Sequence, residues 1–402
     1  MAGYRDLLRT PGVGRIIAAQ LTARFPSGMT SLALLMHIEH VTGTYGAAGL
    51  VLAAASVGQA VSGPITSRWM GFWGMRRVLS LTTVVCAIAL AGIGLLVLPI
   101  GAYMALGMLA GLSTPPVQSA VRTIYPKMVN SRQLTPLFSL DASLQEIIWI
   151  LAPVVITVVA TQAGTVVGIL MVVVILLAGG SWFILSPELG RVRIPRSRRR
   201  LGKVLARPPV LLATMMGFLL VGACAAVEAG VIATFGEGGL QAGIVLAVFS
   251  IGSLAGGLLS GGIPIGRWAM ARRMAIVAVG LVVTTFSLNV WWLGGSLLVA
   301  GIGVAPALAV MFAMTTASVK FSDTAEAFGW VGTGQLIGAA AGSAVAGFLI
   351  DASGPTGAYW TAAVFAVVGL IVSVVSVRGF PDLRFRDAAP MPDTEPVRTI
   401  MS

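Results

Sequence analysis

The sequence is short of charge. Lys, Arg, Asp and Glu make up 10% of its 402 residues, against about 25% in a soluble domain, which excludes an ordinary water-facing surface. Cysteine is nearly absent. Cys86 and Cys224 each lie inside an apolar run, so no disulfide framework or Cys-based metal site follows, and both read as buried free thiols. The histidines are His37 and His40, three apart with no further His or Cys nearby, too few donors for a metal. No metal and no cofactor is expected. Lysine is confined to Lys127, Lys203 and Lys320. None closes a glycine-rich phosphate loop, so nucleotide drive is not expected. No catalytic constellation is visible, and the chain does not read as an enzyme. The preponderance of arginine over lysine suggests a GC-rich bacterial genome.

What is present is apolar. Hydrophobic residues make up 57% of the chain, in runs such as Val78 to Ile100 and Val210 to Ala226. Roughly 20 apolar residues span a bilayer core as a helix. Lipid admits only helices or closed barrels, because every backbone amide must be satisfied internally. The runs are continuous and do not alternate, so a barrel is excluded. The expected fold is an all-α integral membrane protein. Its segments lie near 13–37, 45–67, 78–98, 101–125, 137–160, 164–186, 210–233, 238–262, 273–291, 293–317, 328–350 and 357–377. No small-residue cleavage site follows the basic N-terminus, so the first segment reads as an uncleaved helix.

The formal net charge of +12 would point to nucleic acid in a soluble protein. Here the basic residues fall in alternate short loops, in the N-terminus, in the tail and in a linker from Pro187 to Pro209, with Arg24 as the exception inside the first segment. The opposite loops hold only His37, Glu39, His40, Glu237 and Asp351 among ionisable groups. The positive-inside rule then places both termini and the linker in the cytoplasm. A multi-pass protein of a bacterial inner (plasma) membrane is expected, monomeric, with the lipid bilayer and not nucleic acid as its surroundings.

The two halves are related. Ser62-Gly63, Ile65, Arg68-Trp69 and Arg76-Arg77 return as Ser260-Gly261, Ile263, Arg267-Trp268 and Arg272-Arg273. Pro116 matches Pro306, and Phe138 and Gln145 match Phe328 and Gln335 at one offset. The expected organisation is therefore two pseudo-symmetric six-helix bundles, residues 1–186 and 210–378, joined by a basic linker at 187–209, with a disordered cytoplasmic tail at 379–402. Duplicated halves with a central site between them are a secondary-transporter signature.

Six plus six helices, a long basic central loop and a basic loop after the second helix resemble the major facilitator superfamily, over residues 10 to 380. The motif of that loop opens with Gly63, Pro64, Ile65, Thr66, Ser67 and Arg68 and closes with Gly74, Arg76 and Arg77. Ser67 stands where the family has an aspartate that latches the cytoplasmic gate. The resemblance implies a cytoplasmic gate at Gly63, Ser67, Arg68, Arg76 and Arg77, with the three arginines also suited to helix C-termini or anionic headgroups. It further implies alternating access and a central cavity lined by the first, fourth, seventh and tenth helices. In style the chain is similar to proton-linked drug exporters. Their Gly-Pro motif survives only as Ala152-Pro153, with the small-residue spacing kept at Gly338, Gly342 and Gly347.

Ionisable groups inside membrane helices are costly and mark function by default. Arg24 lies about 16 Å along the first helix and Glu146 about 13 Å along the fifth. Equal depth predicts an Arg24–Glu146 pair, and Arg122 with Asp141 nearer the cytoplasm. Asp141 and Gln145 share a face at i, i+4. Two readings stand: structural ion pairs, or a carboxylate that exchanges its arginine for a proton and couples transport to the proton gradient. Glu228 is the one carboxylate of the seventh helix. Phe218, Met311, Phe312 and Trp330, with Gln145, Gln335 and Glu228, are the expected substrate-cavity residues. An apolar wall with few polar groups suits lipophilic ligands. The expected function is proton-coupled export of lipophilic or amphiphilic small molecules, with protons and the substrate as partners. The alternatives are import of a small polar metabolite and a non-transporting or lipid-handling role.

Overall fold

Each apolar segment is helical in the computed structural model, which describes residues 2–197, 200–236, 240–384 and 388–393. In chain order the helices are α1 Ala2–Arg9, α2 Val13–Thr42, α3 Tyr45–Trp73, α4 Met75–Leu95, α5 Ile100–Leu112, α6 Val117–Met128, α7 Ser131–Gln162, α8 Thr165–Leu185 and α9 Pro187–Arg191. After the linker come α10 Pro208–Phe235, α11 Leu240–Ser260, α12 Ala269–Thr284, α13 Val290–Ala317, α14 Phe321–Ser353 and α15 Thr356–Val375. Among the described residues no β-strand forms; the one extended pairing is an isolated bridge between Lys320 and Met391.

Sequence chemistry sets the ends. Asn130 caps α7 by accepting from the Gln133 amide at 3.1 Å, and Gln133 returns a bond to the Asn130 N–H, a reciprocal cap. Gly43 closes α2 at φ 72°, a left-handed conformation that costs glycine nothing. Prolines within the apolar segments act differently from place to place. Helices α2 and α13 run on through Pro26 and Pro306. The Pro115-Pro116 pair instead stops α5, and the chain restarts as α6 at Val117, because two successive residues lack the N–H that a helix needs.

Counting α5 and α6 as one span, ten helices among the described residues are long and apolar enough to cross a membrane. Of the two other long segments, α12 has 16 residues and α2 carries Gln20 and Arg24 mid-length. The helices before the linker pack mainly on one another, as do those after it. Cross-packing runs through α3 against α14 and α7 against α11 and α13. Glycine permits the closest approach: a Cβ at Gly338 or Gly342 would fall on the backbone of Phe218 or Gly222 in α10, whereas Gly347 faces open space. Of the expected small-residue stripe, the first two members are thus contact points.

The tail expected to be disordered spans 379–402, of which 385–387 and 394–402 lie outside the described residues. Residues 379–384 and 388–393 fold back onto the basic end. Phe380 and Ala388 are buried, the Leu383 amide donates to Ile265 O at 2.8 Å, and Met391 exchanges backbone bonds with Val319 and Phe321. The Asp393 carboxylate accepts from the Ser322 amide at 3.1 Å, capping α14. Charge and proline suggested disorder; the apolar side chains Phe380, Leu383 and Met391 supply the burial that offsets ordering.

Candidate functional site

The basic end is shut. Gly63 of α3 packs on Gly329 of α14, and the Thr333 hydroxyl donates to Ala60 O at 2.8 Å. Arg68 donates to Glu326 Oε2 at 2.7 Å, with Glu326 almost wholly buried. Glu326 Oε1 also accepts from the Gly202 amide of the linker at 2.8 Å, and the Ser197 hydroxyl donates to Asp323. Above this latch Phe138, Phe312 and Phe328 meet with ring centroids 6.2–6.4 Å apart, and every residue of α13 from Gly303 to Ala317 is buried.

The expected gate residues divide accordingly. Gly63 and Arg68 join the two sides. Ser67 is buried with its hydroxyl unpartnered, so it does not replace the missing aspartate; the neighbouring Arg68 makes the latch instead. Arg76 donates to Ser186 O at 3.2 Å, at the C-terminus of α8, as a cation at a helix end should. Arg77 is exposed. Arg15 pairs with Glu188, a contact the sequence reading missed. Burial acts to raise the Glu188 pKa, but the Arg15 hydrogen bond, a backbone bond and the charges of Arg15 and Arg191 outweigh it, so the carboxyl is held below its ordinary value.

The opposite end is open. Along one stripe of α2, Gln20 and Arg24 are buried while Ser27 and Ser31 are exposed; along α10, Cys224 is half-buried and Glu228 and Ile232 are exposed. We call the space bordered by these two stripes the vestibule; exposure along the α2 stripe falls toward Arg24. Helix α13 packs against both α7 and α10.

The floor is a polar network on α2, α6 and α7. Asp141 Oδ1 accepts from Gln20 Nε2, Arg24 Nη1 and the Tyr125 hydroxyl, each at 3.2 Å, and Oδ2 accepts from Arg122 Nε at 2.9 Å. Gln145 Oε1 accepts from Arg24 Nη2 and Arg122 Nη2, and Gln20 Oε1 from Arg24 Nη1. Gln118 is best oriented with its amide oxygen 2.7 and 2.8 Å from the two Arg122 Nη atoms. The Arg122 guanidinium sits over the Phe312 ring at 3.4 Å.

The expected Arg122–Asp141 pair is therefore present, and the expected Arg24–Glu146 pair is not. Arginine on a helix reaches back toward the helix N-terminus, which drops the Arg24 head about one turn, to the level of Asp141. Glu146, one residue beyond Gln145, points off that face and accepts from the Ser253 hydroxyl of α11 at 2.9 Å. Its neighbour Ser143 packs on Gly257 of the same helix.

Of the expected cavity residues, Gln145 and Glu228 border the vestibule. Phe218 stacks on Phe365 of α15 at 5.8 Å, and Met311 and Phe312 are buried in the closed floor. Gln335 is half-buried beside Gly217, its amide nitrogen unpartnered. Trp330 is a correction: it packs against the linker near Gly202 and Val204, because α14 begins at Phe321 and puts Trp330 only nine residues from the basic end. His37 bonds Thr165 and Ile93 O, a structural role. Among the described residues no group of His, Cys, Asp and Glu could hold a metal.

Known proteins share this fold. The sequence profile described as Major Facilitator Superfamily matches residues 16–288 and 227–398. The chain belongs to the major facilitator superfamily. No curated protein matches it in sequence. Among solved structures it is similar to a bacterial homologue of the iron transporter ferroportin in its outward-facing state, with TM-score 0.74 and 13% identity over 90% of this chain and 98% of that one. It is similar to the Escherichia coli fucose:proton symporter, with TM-score 0.70 and 14% identity over 90% and 98%. It is also similar to the human organic anion transporter MFSD10 (TETRAN), with TM-score 0.69 and 14% identity over 90% and 100%. At such identities the likeness is one of fold; membership of the superfamily, with helices long and apolar enough to cross a membrane, makes the chain a multi-pass membrane transport protein.

Proposed function

We propose that this superfamily member is a proton-coupled exporter of lipophilic or amphiphilic small molecules. It works by alternating access across twelve spans in two six-helix halves, with both termini and the shut basic end in the cytoplasm. The observation that carries the coupling is the setting of Glu146. It is a buried carboxylate whose one hydrogen bond among the described residues comes from Ser253 across the α7–α11 contact. It takes or releases a proton without breaking an ion pair, and its charge state alters the contact between the halves. Asp141, by contrast, is locked by two arginines, a tyrosine and a glutamine. The apolar Phe312 ring of α13 against the Arg122 guanidinium favours a lipophilic body over a small polar metabolite.

The test is transport by Glu146→Gln in proteoliposomes. The variant should exchange substrate down its gradient yet fail to accumulate it against a gradient driven by pH. Asp141→Asn is the comparison, with coupling retained. Uphill transport by Glu146→Gln at the wild-type rate would sink the assignment.

A further inference from the structure

The floor of the vestibule has spent its acceptors and kept its donors. Both Asp141 oxygens are occupied, Gln20 and Gln145 have given their amide oxygens to Arg24 and Arg122, and Gln118 has turned its own to Arg122. A guanidinium has five N–H groups. Arg24 donates to Gln20, Asp141 and Gln145, which leaves its Nε–H and one Nη2–H without a protein acceptor among the described residues. The amide nitrogen of Gln145 likewise has no protein acceptor among them. Gln335, which holds the matching position on α14, has its amide nitrogen buried and unpartnered. The formal charge is lopsided in the same sense, with Arg24 and Arg122 sharing the single carboxylate Asp141.

The Gln335 amide nitrogen is buried, where a missing partner costs about 1–3 kcal/mol, whereas the spare N–H groups of Arg24 and Gln145 stay accessible to a ligand. The missing partner must therefore be an acceptor, and a negative one suits the surplus charge. The other carboxylates nearby do not fill this place. Glu146 is turned onto Ser253 of α11, and Glu228 lies a helix turn beyond Cys224, exposed on α10.

We infer that the transported molecule carries an anionic, oxygen-rich head group, such as a carboxylate or sulfonate, which docks on Arg24, Gln145 and Gln118 while its apolar body lies toward α10 and α13. Glu228 reinforces the orientation by repelling the head from the α10 side. The inference rests on the reading of this chain as a transporter of amphiphiles, and it names the charge of the cargo at that same site.

Binding to the full chain in lipid nanodiscs, at constant pH with no gradient, tests it separately from coupling. The probes are naphthalene-2-sulfonate, the neutral naphthalene-2-methanol and the cationic naphthylmethyl-trimethylammonium, titrated calorimetrically. The sulfonate should bind about tenfold or more tightly than either isostere, the factor that one charge-assisted hydrogen bond supplies. Arg24→Gln should bring that preference below about threefold, and Arg24→Lys should keep most of it, since it retains the charge. Gln145→Glu, which places an acceptor among the donors, should reduce sulfonate binding more than alcohol binding; it carries the test if Arg24→Gln does not fold. Equal binding of the three probes, preference for the ammonium, no sulfonate binding, or a preference that survives both Arg24→Gln and Gln145→Glu overturns the inference. A protein that passes here and still transports uphill as Glu146→Gln keeps the anion site and loses the coupling residue.

Discussion

Breaking the Arg68–Glu326 latch should open the basic end, and the size of the effect follows from its surroundings. Removing one partner of a fully buried pair costs about 3–5 kcal/mol. Arg68 retains 14% of its side-chain exposure and Glu326 4%, so the Arg68→Ala loss should be smaller, about 2 kcal/mol, in the range of a charged hydrogen bond. That shifts the equilibrium toward an open basic end by about 30-fold. Ser67 is the reporter. It adjoins the latch and is 1% exposed, so a cysteine there reacts only when the gate opens. In a background with Cys86 and Cys224 replaced by serine, Ser67→Cys should react with a maleimide slowly. Adding Arg68→Ala or Glu326→Gln should raise the rate at least tenfold. Glu326→Gln should have the larger effect of the two, because it also weakens the bond from the linker amide of Gly202. The double variant should add little to the worse single one, since the two act on one contact. A labelling rate within twofold of the parent in both single variants refutes the latch.

Four other outcomes follow from the same contacts. Arg24→Ala strips one cation from the buried Asp141 and should lower unfolding stability by about 2–4 kcal/mol; thermal melting in detergent checks it, with Arg24→Lys partly restored because an ammonium lacks the forked geometry. Asp393→Asn keeps the size of the α14 cap but removes its charge near the helix N-terminus, and should cost about 0.5 kcal/mol; truncation after Arg378 should cost more, seen as a larger fall in melting temperature. Because the folded-state pKa of Glu188 is depressed, its contribution is present above the unfolded value of about 4.3 and is lost as pH falls through the lower folded value. Melting curves taken from pH 5 downward should show a shallower loss in Glu188→Gln than in the parent, and the effect should be small because Arg15 is half exposed. Cysteines at Ser197 and Ser322 should react only from the cytoplasm and one at Ser353 only from outside; labelling of Ser197 in intact cells contradicts the topology.

The helices were legible because their signal is long-range and redundant: some twenty consecutive apolar residues per span, punctuated by basic loops. The side-chain partners within them were not, since depth along a helix locates a Cα and not the tip of an arginine. Arg24 and Glu146 share a depth, yet one reaches down and the other faces a different helix. Arg122 and Asp141 were found because both depth and charge agreed. Glu326 escaped because its helix was begun at 328, two residues past it. A signal existed: with 14 acidic residues against 26 basic ones, an acid beside a buried gate has few rivals as the partner of Arg68. Gln118 and Gln20 carried no charge to draw notice, and only their hydrogen bonds reveal their part. In the described part of the tail, charges and prolines drew notice away from three apolar side chains, Phe380, Leu383 and Met391.

Phe138 and Phe328 hold matching places in the two halves of the sequence, and their rings touch at 6.3 Å. A position that meets its own counterpart lies on the two-fold axis relating them. In an ancestor consisting of one such half, two copies paired about that axis would have stacked this phenylalanine on itself. Every mutation there was then felt twice. Within one chain that constraint is absent, and each ring has a different edge-on neighbour: Phe138 packs on Tyr125 beside the arginine network, and Phe328 on Phe312 of α13. The functional asymmetry of the molecule is thus visible at the point where symmetry once bound it most tightly.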